Sequence, residues 1–220
     1  MEKKTLIIGG TKGIGKAILE ELSGHECYVI SRSESTLSNH FVVDALTGDL
    51  PEIDGLTGLV YCPGSINLKP FHRLTQDDFI DDYQKNVLGA VRVLQFYFRT
   101  LKKNQGSVVL FGTVASQQGM PFHASIAAAK GGLESLARSL AAEWAPSIRV
   151  NIVNPSLTDT PLAEALLSTE QKRENAAQRH PLKKIGTPQD IAKAAVFCLE
   201  NDWLTGQTIG VDGGLSSVRV

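Results

Sequence analysis

Short β-branched runs alternate with stretches of helical apolar spacing along the chain, the pattern of a parallel sheet covered by helices on both faces. Thr5–Ile8 predicts a first strand, and Ile14, Ala17, Ile18 and Leu22 give the segment behind it a helical apolar face. Cys27–Ser31, Phe41–Asp44 and Leu59–Cys62 predict the next three strands, the last broken off by Pro63-Gly64. Thr75 before Gln76-Asp77-Asp78 predicts an N-cap with an acidic first turn, and Val87, Val91, Leu94 and Phe98 follow at helical spacing. Ser107–Phe111, Arg149–Val153 and Thr208–Val211 predict strands five to seven. Helices are expected from about Ala127 to Trp144 and from Pro188 to about Glu200, the second opened by Thr187 as N-cap.

Two connections are lean. From Ser31 to Phe41 and from Asp44 to Leu59 there is little room for a crossover helix, because a parallel connection takes a dozen or more residues. Reduced or absent helices are therefore expected on both sides of the third strand. No repeat, linker or low-complexity segment interrupts the pattern, so residues 1–220 are expected to form one domain.

Composition narrows the functional classes. The 220 residues are 42% hydrophobic and 20% charged, with a net charge of −1 and no local basic block, which argues against binding nucleic acid by phosphate neutralisation. No apolar run reaches the roughly 20 residues needed to cross a bilayer, and no secretory signal is read at the start. Cys27, Cys62 and Cys198 form no metal spacing and no even disulfide set, so a reducing, cytoplasmic location is expected.

The first chemical signal is Gly9-Gly10-Thr11-Lys12-Gly13-Ile14-Gly15, between the first strand and the first helix. Glycines there allow a tight turn and close approach of backbone to a pyrophosphate, and the helix N-terminus offers free N–H groups. The spacing resembles the short-chain dehydrogenase/reductase family, and further residues along the chain carry the same resemblance. Asp44-Ala45 is similar to the family's adenine-contacting position, and Gly64 is the kept residue of its Asn-Asn-Ala-Gly motif. Arg149-Val150-Asn151, Asn154-Pro155-Ser156 and Thr160 resemble the segment that cups the nicotinamide, with Ser156 in place of glycine. Gly206-Gln207-Thr208 and Val211-Asp212-Gly213-Gly214 resemble its C-terminal signature.

The resemblance implies a doubly wound Rossmann-type α/β domain of about seven parallel strands, a bound dinucleotide, a small-molecule substrate, and assembly as a homodimer or homotetramer. The end of the second strand carries Ser31 and Arg32 rather than an acid, and Lys12 precedes Gly13. Two cations without a competing carboxylate point to NADP(H), since arginine binds phosphate bidentately. Leu162–Leu167 and the charged segment after it are expected to form a lid over the substrate.

The family's catalytic Asn, Ser and Lys resemble Asn86, Thr113 and Lys130 here. The position four before Lys130, where the family's tyrosine belongs, is Ile126. Tyr and Lys at i and i+4 share a helix face, and isoleucine keeps the bulk there without the proton. Three readings follow: reduction of a polarised carbon–carbon double bond, slow chemistry on carbonyl or hydroxyl groups, or a catalytically inactive NADP(H)-binding subunit. Enoyl-carrier reductases of the family place a tyrosine seven before the lysine, where this chain has His123, either a general acid or a loop histidine without chemistry. Glu134 and Arg138 are expected to pair on an exposed helix face.

Overall fold

The computed structural model describes residues 3–219. Its strands are β1 (Lys3–Ile8), β2 (His25–Ser31), β3 (His40–Val42), β4 (Leu56–Tyr61), β5 (Ser107–Phe111), β6 (Arg149–Pro155) and β7 (Thr208–Val211). They form one parallel sheet in the order β3-β2-β1-β4-β5-β6-β7. The helices are α1 (Gly13–Glu21), α2 (Gln76–Tyr83), α3 (Gly89–Lys103), α4 (Ala124–Trp144), α5 (Glu170–Gln178) and α6 (Pro188–Glu200). Among them none is long and apolar enough to cross a membrane.

Both faces of the sheet are buried. Leu6, Ile8, Leu59 and Leu110 pack with residues of α3 and α4, while Ile7, Val60, Val109 and Val153 pack with α1 and α6. Successive residues of a strand point to opposite faces, so a run such as Leu6-Ile7-Ile8 serves both layers, as a doubly wound sheet requires. The strand order reverses between β1 and β4, which places the ligand crevice above their carboxyl ends.

Both connections beside β3 lack a helix, as the lean spacing predicts. The segment after β3 instead lays Ala45, Leu50 and Ile53 into the core below α3. Loop carbonyls packed there need donors. Arg92 of α3 gives its guanidinium to Ala45 O (2.8 Å) and Gly48 O (2.6 Å), and Tyr97 donates its hydroxyl to Pro51 O at 2.7 Å. Tyr97 is thus a core residue, while neighbouring Phe96 is exposed.

Several boundaries move. β3 ends at Val42 rather than Asp44 because the Asp44 carboxylate accepts from Leu46 N (2.9 Å) and starts a turn. β6 runs on to Pro155. Thr75 caps α2 as expected, in a reciprocal capping box with Asp78. Between α2 and α3 the chain is wound one residue wide, as a π-helical turn over Gln84–Leu88. Such turns concentrate at functional sites, and this one carries Asn86.

Candidate active site

The glycine loop has the form its spacing implies. Gly9 and Gly13 sit at φ +80° and +53°, conformations that favour glycine. A Cβ on Gly15 would lie 2.3 Å from Gly9 O, so α1 approaches β1 at a distance only glycine allows. Lys12 is the extended residue before α1, with no side-chain cap on the helix, and the first N–H groups of α1 face the crevice end of β1. Thr11 is half-buried in the turn, Lys12 and Arg32 are exposed, and Ile14 lines the adjoining cavity. Ser31 is buried: its hydroxyl donates to Ser33 O (2.9 Å) and lies 2.8 Å from His40 Nε2. Its hydrogen is already committed, so cations rather than Ser31 are left to meet a ligand there. Ala45 is buried behind Asp44.

Across the crevice stands a buried polar cluster. Lys130 of α4 is 7% exposed and donates its Nζ to Phe111 O at 2.7 Å. Burial pulls its amine down from 10.5 to about 8, against the pull of nearby acids including Asp82. Asn86 is fully buried and donates Nδ2 to Asp82 O (2.7 Å) and Ser65 Oγ (2.9 Å). Ser65 in turn donates to Asp82 Oδ1 at 2.6 Å. A Cβ on Gly64 would sit 3.3 Å from Asn86 Oδ1 and 3.5 Å from Lys130 Nζ, so this glycine keeps the approach to both groups clear. Among the described residues Asn86 Oδ1 has no hydrogen-bond partner, an acceptor held ready. Asp82 and Ser65 were not legible as site residues; Asp82 lies four before Asn86 and gains its role through the π-helical turn.

Lys130, Gly64, Thr113, Ile126 and His123 share the wall of one cavity of about 490 Å³. Thr113 accepts from Ala115 N at 3.3 Å. Ile126 is buried one turn before Lys130. His123 is the half-buried N-cap of α4, its Nδ1 2.7 Å from Pro121 O. Cys62 also borders the cavity, and burial pushes its thiol up to about 12, so it is no nucleophile at neutral pH.

Opposite, Pro155, Ser156 and Thr160 form the β6 side of the cavity. The short helical turn Pro161–Leu166 and α5 extend that wall through Leu162, Ala163, Leu166 and Ala176, where the lid was expected. His180, 3% exposed, follows α5 into the same wall. Sequence reasoning passed over it; a histidine in an otherwise charged, exposed segment was the available signal.

Two expectations are corrected. Glu134 is buried, not exposed: it accepts from Asn154 Nδ2 (2.8 Å), Ser116 Oγ and Gln117 Nε2, with Arg138 a distant 3.9 Å. A charge four residues away is a weaker partner than a ring of donors, so Glu134 ties α4 to the β5 and β6 ends. The Arg149–Asn151 part of the nicotinamide segment lies at the far end of β6. Arg149 caps α6 through Cys198 O (2.8 Å) and Leu199 O (2.6 Å), and Asn151 donates to Leu204 O at 2.9 Å. Only Pro155 to Thr160 reaches the cavity.

Comparison with known proteins identifies the family and the fold. The family model described as enoyl-(acyl carrier protein) reductase matches residues 34–216. A tropinone reductase homolog of Arabidopsis thaliana is 32% identical over 240 residues, covering 96% of this chain and 92% of its own length. The 3-oxoacyl-[acyl-carrier-protein] reductase MabA of Mycobacterium tuberculosis is 29% identical, covering 98% and 93%. The structure of ElxO with NADP bound superposes with a TM-score of 0.87 at 24% identity, covering 99% of this chain and all of ElxO. The chain belongs to the short-chain dehydrogenase/reductase family, whose members named here are oxidoreductases. Tropinone reductase homologs and carrier-protein reductases are among the relatives it is similar to.

Proposed function

We propose that the protein, as a single domain of 220 residues, is an NADP(H)-dependent reductase of a small, largely apolar molecule carrying a polarised carbon–carbon double bond. The observation that carries this reading is the pairing of a buried Lys130 amine, lowered to about 8, with an apolar Ile126 one turn before it on the wall of the same cavity. A ketone needs an acid at its oxygen, and Ile126 offers none where the family's tyrosine would stand. An α,β-unsaturated carbonyl can take its proton on carbon, with its oxygen held by the Thr113 hydroxyl.

The residues fit a dinucleotide. Gly9, Gly13 and Gly15 open the cradle for a pyrophosphate at the N-terminus of α1, and Lys12 with Arg32 would take the 2′-phosphate. Asp44 and Ala45 would border the adenine. Lys130, Asn86 and Gly64 would hold the nicotinamide ribose side, and Pro155, Ser156 and Thr160 the ring. When bound, NADPH supplies a hydride. Lys130 would fix the ribose, Asn86 would present its free Oδ1, and the apolar wall would exclude water. That ElxO binds NADP is in keeping with this choice.

The cofactor preference is open to direct measurement. NADPH is expected to bind at least about tenfold more tightly than NADH, the difference of about 1.4 kcal/mol that charge-assisted phosphate contacts readily supply. Titration of cofactor fluorescence reads it, and equal affinities would remove the roles given to Lys12 and Arg32.

Chemistry is tested by NADPH oxidation against a trans-2-enoyl N-acetylcysteamine thioester and its 3-oxoacyl counterpart. Turnover of the enoyl compound is expected, with the 3-oxoacyl compound at least about tenfold slower, because removal of a general acid costs 10²–10⁴ in rate. His123→Ala tests one possible donor: loss of enoyl turnover would assign the proton to it. Ile126 also favours a second reading, an NADP(H)-binding protein without turnover, which holds if wild type binds NADPH yet consumes none and Ile126→Tyr gains ketone reduction. Slow carbonyl chemistry with water as proton source would instead show the 3-oxoacyl compound leading. Exposed Ile80, Tyr83, Leu88 and Phe96, from α2 through the π-helical turn to α3, support a homodimer or homotetramer, and the cysteine usage supports a cytoplasmic setting.

A further inference from the structure

Ser156 and His180 face each other across the β6 side of the cavity, with Ser156 Oγ 2.9 Å from His180 Nε2. The other ring nitrogen, Nδ1, lies 2.9 Å from Ala176 O. A carbonyl only accepts, so Nδ1 carries hydrogen, and in the neutral ring Nε2 is the acceptor of the Ser156 hydroxyl. A second proton on the ring reverses that bond without disturbing the first. Nε2–H then donates to Ser156 Oγ, and the serine O–H is released towards the cavity.

The couple also stands between two cavities. Both residues line the 490 Å³ cavity and a second one of about 170 Å³ behind it, bordered by Lys184, Asp190 and Asp212. The Lys184 and Asp190 side chains are 57% and 37% exposed, so the second cavity opens to solvent. A chain from solvent to the large cavity therefore runs through two hydrogen-bonded side chains.

Carbonyls and a carboxylate border the ring. His180 follows the carboxyl end of α5, where Ala176 O and Ala177 O face its ring and its backbone N–H. Asp212 adds a carboxylate from the turn after β7. Of the cations nearby, Lys184 is 3.6 Å from Asp190 of α6, Lys183 donates to Gln178 O, and Lys172 to Ala165 O. Arg179, exposed beside the ring, is the remaining one in this wall. His123, in contrast, stands at the amino end of the 21-residue α4, the positive end of its dipole.

We propose that Ser156, recharged by His180, delivers the proton that completes reduction in this site, in place of the hydroxyl that Ile126 lacks. The inference rests on the reductase reading above. As the substrate accepts hydride from NADPH, the Ser156 O–H bond breaks and its proton passes to the substrate's anionic atom. The His180 Nε2–H bond breaks in turn and its proton restores the serine hydroxyl. The neutral ring regains a proton from hydronium of the solvent that the smaller cavity opens to, so one hydride and one proton are added and the protein is left unchanged. Ser156 is the catalytic residue in this scheme and His180 acts through it.

The experiment compares wild type, Ser156→Ala and His180→Gln in three readouts: enoyl thioester turnover against pH, NADPH affinity, and the imidazole nitrogen spectrum of ¹⁵N-histidine-labelled protein. Wild-type kcat is expected to fall as pH rises, because each turnover takes up one proton from solvent. Both variants are expected to lose about 100-fold in kcat at saturating NADPH and to flatten that profile, and His180→Gln, which lies outside the cofactor cradle, to keep NADPH affinity within about threefold. Without cofactor, the spectrum is expected to show one neutral histidine protonated on Nδ1, whose Nε2 signal moves in Ser156→Ala. Ser156→Ala leaves the buried ring in place, so it reads the relay even if His180→Gln fails to fold. Wild-type turnover with an unaltered rate and profile in Ser156→Ala would overturn the relay alone. An Nε2-protonated neutral ring would overturn it independently of any turnover. NADPH binding without turnover of either acceptor would overturn the reductase reading and the relay with it.

Discussion

Lys130→Met is expected to melt at a higher temperature than wild type at pH 7 and to bind NADPH at least about tenfold more weakly. The buried amine is held near 8 instead of 10.5, so between those values the unfolded chain carries a proton that the folded one has released. Stability therefore rises with pH across that window, and below about pH 8 the folded protein bears the full cost of a charged, desolvated amine. A shift of this size corresponds to about 3 kcal/mol, at about 1.4 kcal/mol for each pKa unit. Methionine removes the charge while keeping the length of the side chain. It also forfeits the hydrogen bond to Phe111 O, worth about 1 kcal/mol, which leaves a net gain of about 2 kcal/mol. For a chain of 220 residues that is about 4–8 °C. Thermal unfolding at pH 7 and again near pH 10.5 checks the argument, because the advantage should fade as wild-type Lys130 becomes neutral in both states. A lower melting temperature at pH 7 would mean that the amine stabilises the fold. Such a residue, costly to the fold and placed beside Gly64 on the cavity wall, is what a site retained for binding or chemistry looks like.

Gly15→Ala is expected to abolish dinucleotide binding and to destabilise the fold by about 1–3 kcal/mol, the range for forcing extra volume into a packed site. The added methyl would stand 2.3 Å from Gly9 O and 2.9 Å from Gly9 C, both backbone atoms that cannot rotate away. Relief requires α1 to slide outward from β1, which would carry its amino end out of register with the turn at Gly9 and Gly13. Affinity for NADPH should fall at least about 100-fold, read by fluorescence titration, with the unfolding midpoint in urea lowered. An alanine variant that binds as wild type does would show that the loop has room to spare and that its glycines do not set the cofactor cradle.

The fold was largely legible in the sequence because each strand carries its own apolar run and each helix its own stop or start. Parallel strands buried on both faces read as continuous β-branched stretches, and the two helix-free connections followed from counting residues. The lining of those connections was not legible. Nothing in the local sequence of Arg92 or Tyr97 announces that they hold the carbonyls of a loop some 45 residues earlier. The site divides in the same way. Asn86, Lys130 and the glycine loop resembled a family pattern; Lys130 lines the cavity and Asn86 lies buried beside Gly64. Glu134 was misplaced because helical spacing reveals an i, i+4 neighbour and is silent about donors on other strands. His180 depends on a meeting between β6 and the end of α5, which no periodicity encodes. The chain fixes which groups exist, and packing decides which of them meet.

The sheet ends in two stubs: β3 has three residues and β7 four. A strand at the border of a sheet leaves a row of amide and carbonyl groups open to any extended polypeptide that comes near. Trimming the crossovers around β3 shortens that row to about one repeat of the ladder, too short to seed strand addition by another molecule. The economy of chain beside β3 thus acts as protection against aggregation, guarding a sheet whose inner strands are among the most apolar segments of the protein.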